Sequence, residues 1–250
     1  MSLALETVGL RREFGGLVAT NDVSLRLEAG ARRALIGPNG AGKTTLLNLL
    51  TGVLAPSAGV IRLGGEDITR VRADRRVARG LVRTFQINQL FPAFTPLQTV
   101  GLAVSRRLRV DTQVWRRIGS RREVVDESIA VLEQFDLVGL MNEPVSALAY
   151  GKQRLLEIAV AIACRPRVLL LDEPAAGVPE GERDDILRCV AALPADVAVL
   201  LIEHDMDLVF RFADRVSVLV NGALLTEGTV AEIARDPLVR AVYLGEEDHG

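Results

Sequence analysis

Short apolar runs alternate along the chain with segments of helical period. Arg33–Ile36 reads as a strand and Lys43–Leu50 as the helix that follows it. Arg167–Leu171 runs apolar up to Asp172, and Val197–Ile202 runs apolar up to Glu203. Strands buried on both faces of a parallel sheet lack polar alternation in this way. The pattern predicts β/α units around a mainly parallel sheet, so the fold class is α/β. Between Pro96 and Arg165 the spacing turns helical. That segment is predicted to be a helical subdomain (96–165) inserted between sheet-core residues 1–95 and 166–250. From Asp214 onward the chain reads as short strands and then helices. Asn221-Gly222, between Val216–Val220 and Ala223–Thr226, is a hairpin signal.

The 250 residues suffice for one large α/β domain carrying a small subdomain, and 49% hydrophobic residues suffice for a sizeable core. A formal net charge of −2 argues against general nucleic-acid binding. No apolar run reaches the roughly 18 residues of a membrane span, and Met1–Phe14 lacks a signal-peptide core. If the protein works at a membrane, another polypeptide must cross it. Cys164 and Cys189 have no metal or disulfide spacing and read as isolated buried thiols. An Arg-rich stretch from Arg106 to Arg122, holding Trp115, reads as a solvated helix face, with partner contact as the alternative.

Candidate chemistry begins with Gly37-Pro38-Asn39-Gly40-Ala41-Gly42-Lys43-Thr44, which fits G-x-x-x-x-G-K-[ST]. Glycines let backbone N–H groups curl around a nucleotide's phosphates, and the next helix points its positive end at them. Lys43 supplies a compact charge to the β- and γ-phosphates, and the Thr44 hydroxyl is a Mg²⁺ ligand. The motif follows a strand and opens a helix, as it must. Lys43 and Lys152 are the only lysines among 30 Lys and Arg, and the bulkier, planar Arg would not fit this loop.

Asp172 and Glu173 follow an apolar strand. Alone, such a pair is more simply a solvent-facing strand end. Beside a phosphate loop, Asp172 can hold Mg²⁺ through water and Glu173 can orient the attacking water. His204 follows Val197–Ile202 within two residues, whereas His249 lies near the end of the chain. A lone His is more often structural than catalytic. Gly37, Asp172 and His204, however, all fall at C-terminal strand ends, where open α/β sheets place their ligand crevice. There His204 could hydrogen-bond the γ-phosphate.

Those features suggest a P-loop ATPase, and Leu148-Ala149-Tyr150-Gly151-Lys152-Gln153-Arg154 narrows it. This run opens a helix before Asp172 and resembles the signature of ABC ATPases, usually Leu-Ser-Gly-Gly-Gln. Gln86, in Arg83-Thr84-Phe85-Gln86, resembles the Q-loop, a further Mg²⁺ contact. Phe14, in Phe14-Gly15-Gly16-Leu17, sits where that family stacks an aromatic on adenine. The motifs occur in family order along essentially the whole chain. Phe14–Ala19, the Leu-x-Tyr-Gly signature, Glu173–Gly177, Ile202–Met206 and Tyr243-Leu244-Gly245-Glu246 are similar to one subgroup, the larger ATP-binding subunit of branched-chain amino-acid importers. Urea and amide importers share much of this pattern.

The resemblance implies one ABC ATPase domain over 1–250, with an N-terminal antiparallel β part, binding ATP and Mg²⁺. Phe14, Gly37–Thr45 and Gln86 would hold the nucleotide. Glu173 and His204 would be catalytic, and Thr44, Gln86 and Asp172 would serve the metal. Ala149, Tyr150, Gly151 and Lys152 would contact the ATP of a second ATPase subunit. Other partners would be membrane permease subunits and, indirectly, a solute-binding protein, at the cytoplasmic face of the membrane. Two departures stand out. Ala149 replaces the usual Ser and loses a hydrogen bond worth roughly 1.5–3 kcal/mol, for which the charge of Lys152 offers partial compensation. Gly177-Val178-Pro179-Glu180 lacks the usual Asp or Asn. The weak points lie in what the subunit offers its partner, which suggests pairing with a different ATPase subunit. The alternatives are a homodimer, an exporter, or a soluble ABC ATPase of DNA repair or translation. Coiled coils or a second ATPase domain, typical of the soluble ones, find no room here.

Overall fold

The computed structural model describes residues 2–84, 90–110 and 121–244. Strands β1 (Leu3–Phe14) and β2 (Leu17–Val23) form a hairpin, and β3 (Arg26–Glu28) pairs antiparallel with β1. Next come β4 (Arg32–Ile36), α1 (Lys43–Thr51), β5 (Ala58–Leu63), β6 (Glu66–Asp67), α2 (Ala73–Ala78) and β7 (Leu81–Arg83). Helices α3 (Pro96–Arg107), α4 (Arg122–Gln134) and α5 (Tyr150–Ala163) follow. The remainder is β8 (Val168–Asp172), α6 (Glu180–Ala191), β9 (Ala198–Ile202), α7 (Met206–Phe212), β10 (Arg215–Val220), β11 (Ala223–Thr229), α8 (Val230–Arg235) and α9 (Pro237–Leu244).

The chain divides into two compact units. The first holds Met1–Leu81, Arg167–Glu173 and Pro194–Gly250; the second holds Val82–Pro166 and Pro174–Leu193. The first unit contains an antiparallel sheet of order β2-β1-β5-β6, with β3 on β1. The other sheet has the order β11-β10-β4-β9-β8-β7, in which β10, β4, β9 and β8 run parallel. β8 and β9 are buried along their whole length, which is why their sequences carry no polar alternation. Helix α1 buries Leu46, Leu47, Leu49 and Leu50 in one cluster with Leu5, Leu10 and Leu27 of the antiparallel sheet and Leu35, Leu170 and Leu200 of the parallel one. Each such side chain contributes about 1.5–3 kcal/mol, so this helix is held where its sheets put it. The predicted hairpin forms, with Asn221 and Gly222 at φ 49° and 78°, the positive values a tight two-residue turn requires.

The far end of α1 is closed by a side chain from α2. Arg76, 2% exposed, donates to the carbonyls of Leu49 (2.7 Å), Leu50 (2.6 Å), Val71 (2.8 Å) and Thr69 (2.9 Å). Helix ends leave carbonyls without intrahelical partners, and a buried guanidinium satisfies several at once.

In the second unit α3, α4 and α5 pack on one another. Thr95 and Gln98 form a capping box at the start of α3, with Pro96 in its first turn. Glu127 accepts from Arg107 and, at 2.8 Å, from Arg165. Arg107 also donates to Ala163 O at the end of α5. Arg106, Arg109 and Arg122 are exposed, as a solvated stretch should be, but Arg107 is drawn into this ion-pair network. Residues 111–120, with Trp115, lie outside the described residues. The second unit is wider than the predicted insertion because α6, late in the sequence, packs against α5.

Candidate functional site

Gly37 leaves the end of β4, and α1 opens at Lys43 after Gly42, whose φ of 99° marks the turn into the helix. The loop therefore runs straight into the N-terminal end of α1, the positive end of the helix dipole. Lys43 Nζ donates to the carbonyls of Gly37 and, at 2.9 Å, Pro38, so its ammonium folds back across the loop. Ala41 is buried, Thr44 is exposed and Thr45 half-buried.

Strand register brings the other candidates to the same edge. Leu35 of β4 pairs with Ile202 of β9, and Ile202 pairs with Asp172 of β8. The residues that follow, Gly37, His204 and Glu173, therefore leave one end of the sheet from three adjacent parallel strands. Asp172 is the last residue of its strand and 4% exposed. Its carboxylate and the Thr44 hydroxyl are hard oxygen donors of the kind Mg²⁺ takes, usually one or two protein oxygens completed by substrate phosphates. Among the described residues no group of three or more His, Cys, Asp or Glu forms a metal cluster.

Glu173 adopts φ 44°, uncommon for a residue with a Cβ and costing about 1–3 kcal/mol. Its N–H donates to Ile202 O at 2.9 Å, and its Oε1 lies 3.7 Å from His204 Nδ1. The His204 N–H donates to Glu203, which is 2% exposed. Two carboxylates thus flank a largely exposed imidazole. Phe14 ends β1 and is 43% exposed. The Arg12 guanidinium lies 4.6 Å over its ring and donates to Ala55 O. Such a cation–π contact is worth about 0.5–1 kcal/mol at an exposed site. Gln86 lies outside the described residues.

The signature residues belong to the second unit. Ala149 stands at the N-cap of α5 with no side-chain acceptor for the helix's first N–H groups, a loss of typically ~1 kcal/mol. Tyr150 lies against Gly177 and under Arg154. A Cβ on Gly151 would fall 1.9 Å from Glu182 Oε2, so Gly here leaves room for the Glu182 side chain. Lys152 Nζ lies 3.5 Å from Asp136. The divergent loop is anchored too: Val178 is buried, and its carbonyl accepts from Arg183.

Sequence reasoning passed over Glu203, Arg12 and Glu182. Glu203 ends an apolar run just as Asp172 does, and Arg12 shares a strand face with Phe14 at i, i+2. No pattern announces Glu182. Neither cysteine lies among these residues. Burial pushes both thiols above their ordinary range, more strongly than Arg107 pulls Cys164 back or Lys152 and Arg188 pull Cys189 back. Ellman's reagent at pH 8 should therefore label folded protein more slowly than a free thiol, and denatured protein at the free-thiol rate. Fast labelling of the fold would contradict this.

The ABC transporter family pattern matches residues 20–176, and that of the branched-chain amino acid ATP-binding cassette transporter matches 223–249. The chain is 43% identical to the high-affinity branched-chain amino acid transport ATP-binding protein BraF of Pseudomonas aeruginosa, over 97% of this chain and 98% of that one. It is 39% identical to LivG of Escherichia coli, which bears the same description, over 97% and 98%. Among solved structures, the ADP conformation of MJ1267, an ATP-binding cassette of an ABC transporter, superposes with a TM-score of 0.86 at 30% identity, covering 98% of this chain and all of that one. A nucleotide-free ATP-binding cassette gives 0.85 at 30% identity, covering 96% and 98%.

Proposed function

The chain belongs to the ABC transporter family, as one of its ATP-binding cassettes, and from that premise we propose that it powers the import of branched-chain amino acids by hydrolysing ATP. The observation that carries the reading is the shared sheet end from which the Lys43 loop, Glu173 and His204 emerge. Phe14 stacks the adenine, and the 37–45 loop and Lys43 hold the phosphates, with Gln86 assigned to the nucleotide and its metal on its sequence motif alone. Thr44 and Asp172 would hold Mg²⁺, which would supply charge neutralisation to the triphosphate. Glu173 orients the attacking water and takes its proton, and His204 donates to the γ-phosphate.

Ala149, Tyr150, Gly151 and Lys152 present the N-terminus of α5 to the ATP of a second ATPase subunit. Ala149 brings no hydroxyl to that contact, which favours a different chain as the partner. No helix of the described residues is long and apolar enough to cross a membrane. In this reading the subunit sits peripherally at the cytoplasmic face, on permease subunits that receive solute from a binding protein. The identity to the amino-acid transport proteins and the match over 223–249 favour branched-chain amino acids over urea or amides.

The test is uptake in the native host. Lys43→Ala at the chromosomal locus is expected to lower uptake of labelled leucine, isoleucine and valine at least tenfold, the scale of losing one charge-assisted contact to phosphate. Intact leucine uptake with lost urea or amide uptake would replace the substrate. No change in any uptake would overturn the transport reading.

A further inference from the structure

The phosphate loop does not stand alone on its strand. Three other stretches of backbone press on it from within the first unit. A Cβ built on Gly37 would fall 2.1 Å from Leu219 O of β10, and one on Gly42 would fall 2.4 Å from Ala19 O of β2. The third stretch is the β10–β11 turn. Gly222 donates its N–H to Ala41 O in the loop at 2.9 Å and accepts the Asn21 N–H of β2 at 2.7 Å on its own carbonyl. One residue of a distant hairpin thus bonds the phosphate loop on one side and the strand of the Phe14 hairpin on the other. Its place leaves no room for a side chain. Its φ is 78°, and a Cβ there would meet Ala19 O at 2.8 Å and Thr20 Cα at 3.2 Å. Those are backbone atoms, which cannot rotate aside.

The aromatic ring is tied to the same strand. Phe14 pairs with Leu17 at the tip of the β1–β2 hairpin, and β2 runs from that tip through Ala19 to Asn21. A nucleotide held by its phosphates on the loop and by its base on Phe14 spans two elements that Gly222 bonds to each other, through its N–H to Ala41 O and its carbonyl to the Asn21 N–H. We propose that Gly222 is a positioning residue for nucleotide binding, setting the distance between the phosphate loop and the ring that stacks the base. This rests on the nucleotide reading of the site. It makes base and phosphate affinities separable: a change at Gly222 moves β2 away from the loop while Lys43 and the start of α1 stay in place.

The experiment is calorimetric titration of the full chain with ATP and with inorganic tripolyphosphate, which has the phosphates but no base. Gly222→Ala is expected to weaken ATP binding roughly tenfold, because the added Cβ pushes the Ala19–Thr20 backbone of β2 out of place, and to leave tripolyphosphate within about twofold, because the N–H to Ala41 O survives the substitution. Asn21→Pro tests the same bond without bulk at the turn, because it removes the donor to Gly222 O. It is expected to give the same selectivity, and it serves if Gly222→Ala fails to fold. Unchanged ATP affinity in either folded variant, or equal loss of both ligands, overturns the proposal. If the wild type binds tripolyphosphate no more weakly than ATP, the base contributes nothing and the proposal falls alone. If the wild type binds neither, the nucleotide reading falls and takes the proposal with it.

Discussion

The Glu173→Gln chain is expected to bind ATP as tightly as the wild type and to turn it over roughly 10²–10⁴-fold more slowly, the usual contribution of a positioned general base. Gln keeps the size of the side chain and its approach to His204, but it cannot accept a proton from water at neutral pH. The substitution also removes a negative charge near the γ-phosphate, so ATP-bound subunits should accumulate as a stable pair when the chain can pair with itself. Hydrolysis and sedimentation measured on the same sample check both. Turnover within tenfold of wild type would remove Glu173 from the reaction and leave its φ of 44° without a catalytic explanation. Wild-type chain that binds ATP but neither pairs nor hydrolyses it would direct attention to Ala149 and to a different ATPase partner.

A second large effect is expected far from the phosphates. Arg76→Ala should lower the folding free energy by about 3–5 kcal/mol, since it leaves four backbone carbonyls without their donor and opens a space at the buried end of α1. Urea unfolding followed by circular dichroism would show the midpoint falling with the slope unchanged. Arg76→Lys should recover only part of the loss. A single ammonium on a flexible stem cannot present the planar fork that reaches Leu49, Leu50, Val71 and Thr69 together. A midpoint unmoved by Arg76→Ala would mean that water replaces the guanidinium at the end of α1.

The residues that could be read from sequence and those that could not differ in how local their physics is. The phosphate loop, the strands ending at Ile36, Asp172 and Ile202 and the Asn221-Gly222 turn each announce themselves within about ten residues, through apolar runs, glycine and one lysine. Arg76 does not. It stands in a run with Arg72, Arg75 and Arg79 that looks uniformly solvated, and only the position of α1, some 25 residues earlier, turns one of the four inward. Gly222 reads as a hairpin glycine and nothing more, because its second role depends on β2, two hundred residues away in sequence. Likewise α6 joins the helical unit through contacts with α5 that no window of local sequence contains.

The register that aligns Leu35, Ile202 and Asp172 also divides the chain by its tolerance to insertion and deletion. Side chains alternate faces along a strand, so adding one residue within β4, β8 or β9 turns the remainder of that strand over and displaces its last residue by about 3.3 Å. Such a change puts Gly37, Glu173 or His204 on the wrong side of the sheet end. Residues added on the opposite edge, before Arg32, Val168 or Ala198, lengthen only the incoming connections, and loop closure grows slowly with length. Change in length is therefore confined to one edge of the parallel sheet, and the edge that carries Gly37, Glu173 and His204 inherits a fixed frame.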